Sequence, residues 1–274
     1  MKIADSLRQE CMPEMVYSIC KMTLIYNDKE KIQRAICLNN NSQKSQDQFN
    51  TVYKFAKDCG FITEQKGKAY CLLDNNKLET FAQFRFQVAN NVFQTNDSLF
   101  EKIAKWYMNK DDYYIFTRES SESLAEYTNS ELKTEIDKYY ALGFRFWMVD
   151  LGFLSFQNYR RGAMLFSCHN YLLQWIKDQN FEENIFFPVR KMMDRLIMDC
   201  PLFESMIHNN HLNLAFSMAM RVLKNAEYID ARRVKDSGDV WHIEDSVLDP
   251  WIISDSDLTS KYRNEFTELK IIRR

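Results

Sequence analysis

Glycine and proline are scarce in this chain of 274 residues, which contains six glycines and four prolines. Typical usage is about 7% glycine and about 5% proline, and folds with many tight turns, such as sandwiches and propellers, depend on both. The chain is instead rich in phenylalanine (20), tyrosine (14) and methionine (13), and 46% of its residues are hydrophobic, enough to bury a core. We therefore expect a folded, mainly α-helical protein.

Residues 1–73 have the sequence pattern of a winged helix, a fold of three helices followed by a β-hairpin. Pro13 is suited to the first turn of one helix, and Asp28 to the N-cap of a second. A third helix, the recognition helix, is expected over residues 46–59. Its inward face would consist of apolar residues at steps of three, four and three: Phe49, Val52, Ala56 and Cys59.

A β-hairpin is expected directly after the recognition helix. Gly60 can end that helix at its C′ position, and residues 61–73 form two short apolar runs around the turn Lys66-Gly67-Lys68. Three helices and a hairpin in this order predict an N-terminal winged helix, with the turn at the tip of its wing.

A similar order of elements recurs over residues 188–245 and predicts a second winged helix. Helices are expected from Pro188 and from about Asn213, with a break at Pro201. Residues 228–234 and 240–243 are then typical of two strands around a polar turn, which we expect to pair as a hairpin.

The rest of the chain is predicted to form a middle domain and a tail. Residues 74–187 show helical patterns with aromatic-rich faces. Their most apolar stretch, residues 144–156, contains Arg145 and Asp150 and is too short to span a bilayer. Residues 246–274 are rich in Asp and Ser, and we expect an acidic, loosely attached tail with one short helix near residues 262–269.

The basic charge of the chain is concentrated in the two predicted winged helices. The whole chain carries 36 basic and 38 acidic residues, whereas residues 1–73 carry 11 and 8, and residues 188–236 carry 8 and 6. A positive balance favours contact with DNA phosphates, but this excess is small for a DNA-binding domain.

Amide and basic side chains are expected on the outward faces of both modules, where they could contact bases and phosphates. The first set lies on the recognition helix and wing: Gln48, Asn50, Lys54, Lys57, Lys66 and Lys68. The second set lies on the later helix and its hairpin: Asn213, Ser217, Arg221, Lys224, Arg232, Arg233 and Lys235. The first set could instead be a solvated helix face or contact a protein partner, and half of the second set could instead pair with nearby Asp and Glu.

Motifs for catalysis and for cofactors are missing from the sequence. It has no Gly-rich phosphate loop, no nucleophile elbow and no zinc-protease motif. A Glu-x-Lys pair, found in some magnesium-dependent nucleases, occurs at Glu131 and at Glu268, but such a short pattern arises by chance. His208 and His211 lack a third metal ligand. We expect no enzyme activity, no metal site and no cofactor.

The cysteines and the N-terminus predict a cytoplasmic protein. The seven cysteines form no Cys-x-x-Cys pair, which favours reduced thiols over a disulfide framework or a zinc site. The first residues lack the apolar stretch of a secretory signal. No membrane partner is expected.

Three segments resemble the DpdG-type proteins, which belong to bacterial gene clusters that insert 7-deazaguanine bases into DNA and use them in defence. The segments read FNTVYKFAKDCGFIT, FRFWMVDLGFLSF and SMAMRVLKNAEYIDARRVKDSGDVWHI. The resemblance implies a winged-helix protein in a bacterial system with several components.

These observations predict a non-enzymatic subunit of a bacterial, anti-phage defence system, which binds double-stranded DNA weakly on its own and contacts other subunits. One alternative is a tandem winged-helix assembly subunit that binds protein partners, as in SMC–kleisin or helicase–nuclease complexes, with no DNA contact. Another is a transcription regulator with a ligand domain in residues 74–187, for which the sequence offers no effector site.

Overall fold

The computed structural model describes residues 2–37, 42–94, 98–110, 115–116, 121–157, 163–244 and 264–272. This part of the chain is mainly helical, as predicted, with small β-sheets. The chain packs as two compact units. Unit 1 comprises Met1–Ala104, Phe116–Leu151 and Gln157–Ala163, and unit 2 comprises Lys105–Ile115, Gly152–Phe156 and Met164–Arg274. The predicted boundaries after residues 73, 187 and 245 stay a prediction.

Unit 1 is built from helices and a two-stranded sheet. In chain order its elements are α1 (Pro13–Ile25), α2 (Lys29–Ile36), α3 (Gln43–Asp58), β1 (Ile62–Gln65), β2 (Lys68–Cys71), a 3-10 helix (Asn75–Lys77), α4 (Phe81–Val92), α5 (Leu99–Met108), α6 (Ser121–Leu132) and α7 (Lys138–Asp150). The last residues of α5 belong to unit 2.

Capping residues explain where several of these helices begin. Pro13 occupies the first turn of α1, where its missing N–H costs no hydrogen bond. Asp28 accepts a hydrogen bond from Lys31 N at 2.9 Å at the start of α2, and Asp137 accepts one from Tyr140 N at 2.7 Å at the start of α7.

Helices α1 to α3 and the β1–β2 hairpin follow one another in the predicted order. The inward face predicted for the third helix is confirmed, because Phe49, Val52, Ala56 and Cys59 are all buried. Helix α3 begins at Gln43, three residues before the predicted start. The two-residue turn of the hairpin places Lys66 and Gly67 at φ 50° and 74°, the left-handed angles that match the twist of paired strands.

A third extended segment lies beside this hairpin. Tyr26 and Asp28, between α1 and α2, have extended backbone angles. The Asn27 carbonyl accepts a hydrogen bond from Ala69 N at 2.8 Å. Strand β2 therefore has β1 on one side and the α1–α2 connection on the other.

Trp147 links α7 to the residues just before α1 and just after α3 in the core of unit 1. Its side chain is fully buried, stacks on Phe61 at 5.8 Å between ring centroids, and donates a hydrogen bond from Nε1 to the Cys11 carbonyl at 2.8 Å. Gly143, one turn earlier on α7, lies so close to the N-terminal segment that an added Cβ would be 2.8 Å from the Arg8 carbonyl oxygen.

Unit 2 combines helices with short strands. The elements that lie in it wholly or in part are β3 (Ile115–Phe116), β4 (Leu154–Gln157), β5 (Ala163–Phe166), α8 (His169–Asp178), β6 (Phe186–Pro188), α9 (Val189–Asp199), a 3-10 helix (Pro201–Met206), β7 (Ile207–His208), β8 (His211–Leu212), α10 (Leu214–Asn225), β9 (Ile229–Arg232), β10 (Trp241–His242), β11 (Glu265–Phe266) and β12 (Glu268–Ile271). The strands form three sheets with the orders β11-β10-β8-β7, β6-β12-β9 and β3-β5-β4.

The hairpin predicted for the second winged helix is wrong. Strand β9 pairs with β12, and β10 pairs with β8 and β11, so that β9 and β10 lie in different sheets. Both strands find their partners in the C-terminal segment of the chain. The sequence pattern around residue 238 indicated strands correctly, but it contained no signal for these distant partners.

The short helix predicted near residues 262–269 is also wrong, since Glu265–Phe266 and Glu268–Ile271 are strands. Leu269 and Ile271 are fully buried, and Glu268 and Lys270 alternate with them on the other face of β12. Phe266, on β11, is fully buried as well. This period of two is the signature of a strand. The strands within residues 265–271 therefore contribute to the core of unit 2.

The most apolar stretch of the sequence, residues 144–156, covers the second half of α7 and most of β4. Over the described ranges, no helix combines the length and the apolar character needed to cross a bilayer.

All seven cysteines lie in described parts of the chain and are free thiols. Burial raises the pKa of Cys11 to about 11 and raises the pKa of Cys200 further. Cys71 differs, because the Cys20 thiol donates a hydrogen bond to its sulfur and lowers its pKa. Cys71 is also only partly buried.

We expect iodoacetamide to alkylate Cys71 before any other cysteine of the native protein, because it combines exposure with a lowered pKa. Peptide mass spectrometry after brief labelling measures the order of modification. A Cys71→Ser variant is the control and should lose the fast phase. Faster labelling of Cys11 or Cys200 would contradict the described packing.

Candidate nucleic-acid interface

Helix α3 exposes a polar surface opposite its buried side. Asn50, Lys54 and Lys57 lie on the side of the helix next to the hairpin, and all three are exposed. Four more exposed residues lie on the other side of this surface: Lys44, Asp47, Gln48 and Thr51. The apolar spacing that buries one side of α3 therefore also fixes which polar residues face outward.

A cluster of three side chains holds the hairpin against α3. Tyr53 on α3 donates a hydrogen bond from its hydroxyl to Glu64 Oε1 at 2.9 Å, and Lys57 forms an ion pair with Glu64 Oε2. The Lys57 ammonium lowers the pKa of Glu64, and burial together with Glu64 raises the pKa of Tyr53. Lys57, predicted to contact DNA, thus links α3 to the hairpin.

A pH dependence follows from this cluster. Because the pKa of Glu64 is lower in the folded protein, its stabilising effect is present above the unfolded pKa of about 4.3 and is lost as the pH falls through the folded value. We expect Glu64→Gln to reduce the free energy of unfolding by about 0.5–1 kcal/mol at neutral pH, as partly exposed ion pairs do.

Urea denaturation of both proteins at neutral and acid pH measures this difference. The difference in the free energy of unfolding should shrink in acid, where the wild-type carboxyl group is protonated and neutral, as the glutamine amide is at both pH values. A difference that is equal at both pH values would assign the effect to packing rather than to charge.

The remaining cations of the first predicted set are exposed. Lys54 lies on α3, and Lys66 and Lys68 flank Gly67 in the hairpin turn. Within the described ranges, none of these three lysines forms an ion pair. Since the Lys57–Glu64 pair brings β1 next to this side of α3, the lysines of helix and turn lie on adjoining elements.

Gln48 lies on a different part of the surface from Lys54. It lines an open groove of about 900 Å³ together with Lys44 and Thr51 of α3, residues 8–10 and Met12 of the N-terminal segment, and Tyr139, Leu142 and Phe146 of α7. In this groove Arg8 is paired with Asp137 at 2.5 Å. The recognition face predicted from the sequence is thus divided between a groove and an outer side.

Three polar residues of the second predicted set have structural partners in unit 2. Asn213 caps α10 by accepting from Phe216 N and also donates to the Met108 carbonyl at 2.8 Å. Ser217 is fully buried and accepts a hydrogen bond from Glu244 N at 2.9 Å, and Arg221 is buried and donates to the Glu244 carbonyl. Ser217 and Arg221 therefore hold the segment after β10 against α10.

The arginines of the second set form ion pairs with the C-terminal strands. Arg232 contacts Glu268 at 2.5 Å, and Arg233 contacts Glu265 at 3.1 Å. Lys224 is half-buried and Lys235 is exposed. The carboxylates that pair with these arginines come from the C-terminal segment, which was predicted to be a loosely attached tail. The second set is therefore not part of the interface proposed below.

The Glu-x-Lys and histidine motifs of the sequence differ in their surroundings. Glu131 lies at the exposed end of α6. Glu268 and Lys270 lie on β12, where Glu268 pairs with Arg232 and Lys270 pairs with Asp230 at 3.1 Å. His211 stacks on His242 at 4.1 Å between ring centroids. Among the described residues, no group of three or more His, Cys, Asp or Glu side chains could hold a metal ion.

No protein-family model, no curated protein and no solved structure matches this chain. The resemblance to DpdG-type proteins therefore stays a prediction.

Proposed function

We propose that residues 13–73 form a winged helix that binds double-stranded DNA, and that the protein is a non-enzymatic subunit of a larger assembly. The observation that carries the proposal is the position of Lys54, Lys66 and Lys68. These lysines are exposed, are not in ion pairs within the described ranges, and lie on the third helix and on the turn of the hairpin that packs against it.

The arrangement of the segment supports the winged-helix assignment. The order is α1, α2, α3, β1, β2, and the connection between α1 and α2 is extended and hydrogen-bonded to β2 through Asn27 and Ala69. In such a domain the third helix enters the major groove and the wing contacts the adjacent backbone. Asn50 and Lys54 would then approach base edges and phosphates, and Lys66 and Lys68 would contact phosphates.

Few cations are available at this surface, so the expected affinity is low. Lys57 is shared with Glu64, which leaves three free lysines for phosphate contacts. Binding by one such module should be close to the non-specific range of roughly 10⁻⁴ to 10⁻⁶ M. A protein of this kind would reach useful affinity within an assembly, where a second contact raises the effective concentration.

Fluorescence anisotropy with a labelled DNA duplex tests the proposal. We expect the triple variant Lys54→Glu, Lys66→Glu, Lys68→Glu to bind at least about tenfold more weakly, because three attractions become repulsions. The matched control changes three exposed lysines of unit 2, Lys177, Lys191 and Lys235, to Glu and alters the net charge equally. Equal losses in both variants, or no loss in either, would contradict the proposal.

A second candidate function is binding of a protein partner by the same domain. It is favoured by a group of large apolar side chains that are exposed at the end of α1 and along β2. The role in bacterial defence, for either candidate, rests on the sequence resemblance alone.

A further inference from the structure

Five large apolar side chains are exposed on one part of unit 1. Leu24, Ile25 and Tyr26 lie at the end of α1, and Tyr70 and Leu72 lie on β2 and just after it; Ile25 is 63% exposed and Leu72 is 56% exposed. Single exposed apolar residues are common, whereas a contiguous group marks an interaction surface. We call these five residues the α1–β2 patch.

The α1–β2 patch borders a groove of about 410 Å³. The groove is lined by residues 23–27 at the end of α1, by Lys31 and by Ala69, Tyr70 and Cys71 of β2. Lys68, Tyr70 and Leu72 are exposed, whereas Ala69 is buried and Cys71 is half-buried between them. The apolar side chains of β2 therefore stand on one face, as on a half-buried strand.

Strand β2 also presents part of its main chain to this groove. Leu72 N donates a hydrogen bond to the Phe61 carbonyl. Because hydrogen-bonded and non-hydrogen-bonded pairs alternate along an antiparallel ladder, Lys68 and Tyr70 also bond to β1. Ala69 and Cys71 therefore direct their N–H and C=O groups away from β1. Asn27 takes the Ala69 N–H. The edge at Cys71 is where an additional extended segment could pair.

The charge around the patch is positive. Residues 21–31 and 66–77 contain six lysines and three carboxylates. The carboxylates have local partners: Asp28 and Asp74 cap helices, and Glu30 pairs with Arg34 at 3.5 Å. Lys31 lines the groove itself. An acidic ligand fits this surface better than a basic one.

We propose that the α1–β2 patch binds an extended, acidic peptide segment of a partner protein, which hydrogen-bonds to the main chain of β2 at Cys71, next to the position that Asn27 occupies, and places apolar side chains against Ile25, Tyr70 and Leu72. This deepens the protein-binding candidate function and does not require DNA binding. Main-chain pairing would supply affinity, and the apolar contacts and lysines would supply selectivity.

A short fluorescent peptide of alternating glutamate and valine is the probe, and a lysine–valine peptide of equal length is its control. We expect the full-length protein to bind the acidic peptide and to discriminate against the basic one. Bound peptide should also slow alkylation of Cys71, because that residue lines the groove. The double variant Ile25→Ser, Leu72→Ser should weaken binding by about tenfold or more, since both exposed contacts lose apolar area.

Met198→Ser is the matched control, because Met198 is an equally exposed apolar residue of unit 2; it should bind the acidic peptide like wild type. Equal binding of both peptides, or unchanged affinity in the double variant, would overturn the proposal. Binding of anionic lipid vesicles without binding of the acidic peptide would overturn it in favour of a membrane surface. Measuring DNA affinity in the same double variant separates the two proposals. Unchanged DNA affinity with lost peptide binding would show two independent surfaces. Peptide binding by wild type without any DNA binding would contradict only the DNA proposal.

Discussion

Replacing Val52 by Asp is expected to unfold the three-helix segment of unit 1. Val52 is fully buried on α3, with Phe49 and Ala56 on the same buried face. An unpaired carboxylate at this position costs several kcal/mol, which is comparable to the roughly 5–15 kcal/mol that stabilise a typical domain. The variant should be insoluble, or should melt far below wild type with reduced helical circular dichroism.

Asn50→Asp is the matched control for this substitution. It introduces the same carboxylate on the same helix, two residues away, at an exposed position. We expect its thermal melt to stay close to that of wild type, because surface substitutions change stability by about 0.5 kcal/mol or less. A soluble Val52→Asp protein with an unchanged thermal melt would contradict the described packing of α3.

Gly152→Ala should give the second large loss of stability, this time in unit 2. Gly152 has φ +85°, and an added Cβ would lie 2.7 Å from Tyr171 N and 3.0 Å from Tyr171 Cα. Left-handed strain of about 1–3 kcal/mol therefore adds to an overpacking cost of about 1–3 kcal/mol. The neighbouring backbone belongs to α8 and cannot move aside as a flexible side chain would.

Two other glycines separate the two causes. Gly67 has φ +74° but no described atom within 4 Å of an added Cβ, so Gly67→Ala should cost only the strain, about 1–2 kcal/mol. Gly238 has neither feature, and Gly238→Ala should change stability by about 0.5 kcal/mol or less. Urea unfolding of the three variants measures the order. Equal stabilities for Gly152→Ala and Gly67→Ala would contradict the close approach of Tyr171.

The parts of the fold that depend on local signals could be predicted from the sequence. The buried side of α3 follows from the spacing of Phe49, Val52 and Ala56, and the hairpin follows from two short runs around Lys66 and Gly67. In these elements the partners are close in sequence, so that spacing and turn chemistry determine the structure.

The pairing of the C-terminal strands could not be predicted in the same way. Strand β12 lies between β6 and β9, with Leu269 opposite Ala231 and Phe187. Such pairings join segments far apart in the chain, and composition marked this region as an acidic tail. The alternation of Glu268 and Lys270 with Leu269 and Ile271 was the available signal, but it covers only four residues.

The sequence correctly predicted that the polar residues Gln48, Asn50, Lys54 and Lys57 of α3 are exposed, but it failed to predict the burial of polar residues on α10. Asn213, Ser217 and Arg221 recur at intervals of four and therefore share one face of the helix, as solvent-exposed polar residues do. The same spacing also suits a buried polar seam, and here Ser217 and Arg221 bind the main chain of Glu244. A helix period shows which residues share a face, but what covers that face is decided by tertiary packing.

The salt dependence of DNA affinity tests whether the lysines of α3 and the hairpin contact DNA phosphates. If Lys54, Lys66 and Lys68 contact phosphates, the logarithm of the association constant should fall with the logarithm of salt concentration at a slope of about −2 to −3, since each phosphate contact contributes about −0.9. Anisotropy titrations of wild type and the triple Lys→Glu variant at several salt concentrations give both slopes. We expect this slope for wild type and a slope near zero, with little binding, for the variant. Identical slopes for the two proteins would show that the outer side of α3 and the hairpin turn are not a DNA surface.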